Sequence, residues 1–179
     1  MYRFFYYDNI IPREDCDYFI QQYEHKEFNK GQVKSVVKGE YTGIEDQARD
    51  SDIYWIDPKS PMCRAIWGYM LEANNYLGVT LNQTHELAQL ARYSKNQHYT
   101  LHIDTFYKKD HPIRNLSAIL QLSKPEDYEG GQLELYNGDK EPELPPIQSQ
   151  GSLVFFRSNE WHRVTPVLSG IRYSLVFWA

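Results

Sequence analysis

The second half of the chain carries residues whose types and spacing suit a metal site. His102-Ile103-Asp104 puts an imidazole and a carboxylate two residues apart. On a strand, such residues point to one face and can reach one ion, while Leu101 and Ile103 point the other way, toward apolar packing. Alone the triplet is weak. With 6 His and 11 Asp in 179 residues, chance alone supplies about 0.4 such triplets, and a surface His–Asp hydrogen bond explains it equally well. His162 lies 58 residues beyond Asp104, after the turn Arg157–Glu160. Two His and one Asp form the 2-His-1-carboxylate donor set, which occupies one face of an octahedral divalent iron and leaves three positions open. Arg172 follows ten residues after His162 and opens a strand to Trp178. Arg172, Ser174, Val176 and Trp178 share one face of that strand, with Tyr173, Leu175 and Phe177 on the other. An inward Arg needs an anion. That anion is either a protein carboxylate in a salt bridge or a ligand carboxylate, held by the guanidinium fork with a Ser hydroxyl beside it.

The elements that must position these groups are legible from pattern. Aromatics make up 15% of the chain, including 15 Tyr, which favours strands. Pro12-Arg13-Glu14-Asp15 opens a helix with acids at its positive dipole end, and Phe19, Ile20 and Tyr23 form its buried stripe. A second helix starts at Pro61, carries Ile66, Tyr69, Met70, Ala73 and Leu77 at helical spacing, and ends near Gly78. Strands are expected at Val33–Val37 and Ile53–Ile56. Seven more follow at Leu87–Tyr93, Tyr99–Asp104, Leu116–Ser123, Gln132–Tyr136, Ser152–Phe156, His162–Val167 and Arg172–Trp178. Their density implies a mainly β antiparallel sandwich or barrel, with the N-terminal helices packed on one sheet.

Composition excludes several classes. A net charge of −5 argues against an electrostatic nucleic-acid binder. No apolar run approaches membrane-spanning length, and MYRFFYYDNI lacks the apolar stretch of a signal peptide. Two cysteines, Cys16 and Cys63, do not make a disulfide framework and suit a reducing, cytoplasmic setting.

The stretch from about residue 86 to 178 resembles the 2-oxoglutarate/Fe(II)-dependent dioxygenase superfamily, and within it the prolyl 4-hydroxylase-like, PKHD-type branch. The matching residues include Ala91-Arg92-Tyr93, Tyr99 to Asp104, Leu116 to Ser123, Tyr128-Glu-Gly-Gly-Gln-Leu133, Gly151 to Phe156, Trp161 to Pro166 and Gly170 to Leu175. Arg49–Trp55 and the N-terminal helices fit more loosely. The resemblance implies a double-stranded β-helix (jelly roll) core in a single domain over residues 1–179. Residues 1–80 then act as helical support and 81–179 as the catalytic core.

By the same resemblance, His102, Asp104 and His162 are the metal ligands. Arg172 is the partner of the 2-oxoglutarate C5 carboxylate, with Ser174 a second contact. Tyr93 and Gln121 fall where relatives place residues near that co-substrate. His98 is set apart from the metal, because four residues along a strand span about 13 Å. Fe(II) and 2-oxoglutarate are the implied cofactors, with ascorbate an optional one. O₂ and a protein or peptide substrate are the implied partners, a peptidyl proline first among them. Where collagen-type prolyl 4-hydroxylases usually have Lys, this chain has Arg172, which weakens a collagen-like substrate. Val33–Asp50 and Thr105–Arg114 are expected as lids, and Trp161 and Trp178 as either substrate walls or core. The alternatives are hydroxylation of a small molecule or free amino acid, a non-catalytic jelly-roll binding protein, and a zinc hydrolase. The last leaves an inward Arg172 unexplained.

Overall fold

The computed structural model describes residues 3–32, 34–37, 40–44, 48–81, 86–105, 113–138 and 141–179, with 34–37 and 40–44 described by backbone alone. In chain order the elements are β1 (Phe4–Tyr7), α1 (Arg13–Tyr23), β2 (Asn29–Lys30), β3 (Lys34–Val37), β4 (Glu40–Ile44), β5 (Arg49–Asp50), β6 (Asp52–Ile56), α2 (Pro61–Leu77), β7 (Ala88–Tyr93) and β8 (His98–His102). They continue with β9 (Leu116–Gln121), β10 (Tyr128–Gly130), β11 (Leu133–Tyr136), β12 (Leu153–Arg157), β13 (Trp161–Val164), β14 (Val167–Gly170) and β15 (Arg172–Trp178).

Helix α2 follows its local code. The Ser60 hydroxyl accepts from the Cys63 amide at 3.4 Å, Pro61 fills the first position, and Gly78 ends the helix in the left-handed conformation at φ 63°. Its buried residues, Cys63, Ile66, Met70, Ala73 and Leu77, repeat at helical spacing. Tyr69, expected in the stripe, is only half-buried. In α1, Cys16 and Phe19 are buried, while Ile20 and Tyr23 pack on the core from its edge. Cys16 and Cys63 are both free and buried.

Seven strands form one antiparallel sheet in the order β1-β12-β9-β15-β7-β6-β2. Its register explains its two faces. Leu153, Leu120, Leu175 and Leu90 line up across β12, β9, β15 and β7, all fully buried, in one core with α1 and α2. The next row, Val154, Ile119, Val176 and Gln89, points to the opposite face because strand side chains alternate. That second face meets a four-stranded sheet, β11-β13-β8-β5. A short pair, β10-β14, and the hairpin β3-β4 complete the pairing. Two facing antiparallel sheets with helices outside the larger one make the expected jelly roll.

Two expected strands differ. His162–Val167 divides into β13 and β14, because Pro166 has no N–H to continue the ladder. Strand β8 stops at His102, and Asp104 lies beyond it. Among the described residues, no helix is long and apolar enough to cross a membrane.

Candidate metal centre and co-substrate pocket

The cleft between the two sheets has a cavity of about 150 Å³. Strands β8 and β13 meet there with His102 directly opposite His162. Asp104 reaches the same point by another route. Its backbone N–H donates to the Ser158 carbonyl at 2.8 Å, as does that of Thr105 at 3.0 Å, while Ser158 N–H donates to Asn115. The two-residue spacing thus brings both side chains to one point, although only His102 is on the strand. The apolar packing expected beside them is weaker: Leu101 is 46% exposed and Ile103 half-buried.

His102 Nε2 lies 3.6 Å from one Asp104 carboxylate oxygen, and His162 Nε2 lies 3.6 Å from the other. One donor atom from each of the three lies within 4.8 Å of the other two, and the set could hold one metal ion. Both imidazoles are oriented alike. His102 Nδ1 pairs with the Thr100 carbonyl at 2.8 Å, and His162 Nδ1 with the Glu160 carbonyl at 2.9 Å. A carbonyl only accepts, so Nδ1 carries the proton and Nε2 presents its lone pair. Tyr99 stacks on His102 at 3.5 Å, and Phe156 meets His162 edge-on at 4.8 Å. The Ser117 hydroxyl donates to Asp104 at 2.8 Å and contacts Ser158 Oγ at 2.9 Å.

Burial works to raise the Asp104 carboxyl, but the adjacent His162 and His102 outweigh it and hold it well below the usual carboxylate range. Burial lowers the His162 imidazole to about 4, against the opposing pull of Asp104. In the unfolded chain its pKa returns to about 6.5. Between those values the unfolded state binds more protons, so stability of the metal-free protein should rise with pH from 4 to 6.5, by about 3 kcal/mol. It is lost as pH falls through that window. Equilibrium unfolding of chelator-treated protein at pH 4.5 and pH 7 measures this, and His162→Asn should flatten the difference.

Arg172 sits deeper in the cleft, 2% exposed, opposite Tyr93 on β7. Its guanidinium carbon is 5.8 Å from the Tyr93 ring centre, and Nη1 donates to Ser174 Oγ at 3.4 Å. Its Nε has no partner, and among the described residues no carboxylate pairs with it. A buried guanidinium without an anion is costly, so the site fits a ligand carboxylate. Gly131 makes room for it: a Cβ there would sit 3.0 Å from Arg172 Cδ and 2.9 Å from Val167 Cγ2.

The face expected from alternation is realised, since Arg172, Ser174, Val176 and Trp178 all line the cleft with Tyr93. Gln121 lies beside Arg172 in an adjoining smaller pocket, but its amide hydrogens go to the Ser123 carbonyl and the Tyr128 hydroxyl, each at 3.1 Å. Tyr128 lines that pocket too. Trp178 walls the cleft, whereas Trp161 is 50% exposed on the outer face of β13, opposite in direction to His162. His98 turns to the Asn96 carbonyl and takes no part. Of the two expected lids, 33, 38–39, 45–47 and 106–112 lie outside the described residues, and the rest of 33–50 forms the β3-β4 hairpin and β5 rather than a plain loop. Ser117, Ser158 and Arg49 were not singled out as site residues from sequence. Arg49 falls in the stretch Arg49–Trp55 that fits the resembled branch loosely, and no local pattern marks Ser117 or Ser158.

Comparison with known proteins agrees with this geometry. The 2OG-Fe(II) oxygenase superfamily model matches residues 88–179. The PKHD-type hydroxylase YbiX of Shigella flexneri is 28% identical over 180 residues, covering 94% of this chain and 74% of its own. A Pseudomonas putida prolyl-4-hydroxylase superposes with TM-score 0.71 at 24% identity, covering 99% of this chain and 92% of that one. A Trichoplax adhaerens prolyl hydroxylase in complex with a hypoxia inducible factor peptide fragment superposes with TM-score 0.63 at 22% identity, covering 98% and 82%. The chain belongs to the 2OG-Fe(II) oxygenase superfamily. It is an iron- and 2-oxoglutarate-dependent dioxygenase, with curated relatives of the PKHD type and solved neighbours of prolyl hydroxylase fold.

Proposed function

We propose that residues 1–179 act as one catalytic domain that hydroxylates a peptidyl proline, with His102, Asp104 and His162 holding Fe(II) and Arg172 holding the C5 carboxylate of 2-oxoglutarate. The observation that carries this reading is a buried Arg172, with no carboxylate partner among the described residues, in the same cleft as three converging side chains that could hold a metal. Iron and 2-oxoglutarate held there would supply, with O₂ as the oxidant, the chemistry that turns a C–H bond into C–OH, one oxygen atom entering the hydroxyl and the other the succinate formed as CO₂ leaves.

The chain's own residues supply position and shelter. Both imidazoles, held at Nδ1 by backbone carbonyls, turn Nε2 toward the site, burial favours the neutral form of His162, and the Asp104 carboxyl lies well below the usual carboxylate range. Arg172, with Ser174 beside it, anchors the co-substrate's far end and so aims its keto acid end at the three donors. Ile119, Val164, Val176 and Trp178 close the walls with apolar surface and limit water at the reacting centre. Peptidyl proline is favoured because the chain resembles PKHD-type hydroxylases and shares the fold of an enzyme solved with a peptide.

Proline-containing peptides incubated with the enzyme, Fe(II) and 2-oxoglutarate should show succinate formation coupled to hydroxyproline, read by mass spectrometry. Succinate that stays at the uncoupled rate across all peptides, yet rises with a free amino acid or metabolite, would replace the peptide with a small molecule.

A further inference from the structure

A second buried guanidinium faces the same cleft. Arg49, on β5, is 7% exposed and lines the cavity that holds the metal donors. Strand β5 pairs with β8 so that Arg49 stands opposite Tyr99. The guanidinium carbon lies 4.5 Å from the Tyr99 ring centre, and the other partner of that ring is His102. Arg49 is therefore one aromatic ring away from the metal centre.

Its hydrogen bonds satisfy geometry without satisfying charge. Nε donates to Ser51 Oγ at 2.7 Å and Nη1 to Gln89 Oε1 at 3.1 Å, both neutral acceptors. Nη2 is buried without a partner. Among the described residues no carboxylate pairs with Arg49, and the neighbouring acids are committed elsewhere. Asp50 binds Lys30 and Gln97, and Asp52 binds Lys30 and Arg92. The burial is built in, because a Cβ on Gly31 would fall 2.6 Å from both Arg49 Nε and Ser51 Oγ. A fold that buries a cation among neutral partners leaves its charge for a ligand to neutralise.

The two arginines stand on different flanks. Arg172 is rooted opposite Tyr93, whereas Arg49 reaches Gln89, which is four residues and about 13 Å away along β7. One co-substrate carboxylate cannot serve both in a single pose. We propose that Arg49 is a recognition site for an anionic group, a carboxylate, on the substrate to be hydroxylated. The substrate class is then an acidic peptide or a carboxylate-bearing small molecule. This rests on the reading of Arg172 as the co-substrate anchor.

The test uses the full chain loaded with Mn(II) and saturated with 2-oxoglutarate, so that Arg172 is filled. Trifluoroacetate is then titrated as a one-carboxylate probe and followed by ¹⁹F NMR. The wild type should show saturable binding. Arg49→Gln should weaken it at least tenfold, Arg49→Lys should retain part of it, and the exposed-site variant Arg64→Gln should leave it intact. Melting temperatures of the variants establish that each is folded. Absence of saturable binding in the wild type, or equal binding in Arg49→Gln, overturns the proposal and makes Arg49 a structural cation. Failure of 2-oxoglutarate itself to bind, measured beforehand, instead overturns the assignment of Arg172. In the proline-peptide panel, a Glu-bearing peptide should have a KM at least tenfold below its Gln counterpart, and equal values also count against the anionic substrate.

Discussion

Asp104→Ala should abolish iron-dependent decarboxylation of 2-oxoglutarate, with a loss of at least about 100-fold in iron affinity. On the proposed ligand assignment Asp104 is the one anionic donor, and each of its two oxygens faces one imidazole at 3.6 Å. Its removal leaves two neutral nitrogens, a donor set too small to hold iron with three open positions. His102→Ala and His162→Ala should have the same outcome. The fold should survive each change, because the Leu row and the helical core lie on the far face of the seven-stranded sheet. Iron content by elemental measurement, succinate release and the melting temperature together decide the matter. Full activity in any of the three variants sinks the ligand assignment. Ser117→Ala should be milder, about 10- to 100-fold in metal affinity, because Ser117 only orients the carboxylate.

Arg172→Ala should raise the 2-oxoglutarate requirement by about 30- to several-thousand-fold, the equivalent of the 2–5 kcal/mol lost with a desolvated charge-assisted contact. Arg172 is 2% exposed, so water cannot replace the missing guanidinium cheaply. The change should fall on the KM for 2-oxoglutarate, with iron content untouched, because Arg172 belongs to the other sheet from His102 and His162. Arg172→Lys keeps the charge but loses the planar fork, and should be affected less. Unchanged co-substrate dependence in Arg172→Ala would mean that the residue serves structure alone.

These expectations were readable from sequence to different degrees. The helix ends were legible because they are written locally, in Ser60-Pro61 and Gly78. The face of β15 was legible because strand alternation is fixed by backbone geometry, and all four predicted residues line the cleft. The break between β13 and β14 was in principle legible too, since Pro166 cannot donate to a ladder. The exposed Trp161 was not. Whether an aromatic beside His162 is core, wall or surface depends on what covers that face of β13, which no local pattern records.

Residue types and spacing by themselves determined the chemistry available to this protein: two imidazoles, one carboxylate and one arginine in a β-rich chain, in an order shared with an iron oxygenase family. That follows because ligand identity and strand alternation are properties of short segments. Tertiary structure alone decided that His102 lies opposite His162, that Ser117 and Ser158 orient Asp104, and that Arg172 and Arg49 face one cleft without carboxylate partners among the described residues. Those facts arise from pairing between strands tens of residues apart and from burial that removes water. A charge becomes a binding site only once its surroundings fail to neutralise it.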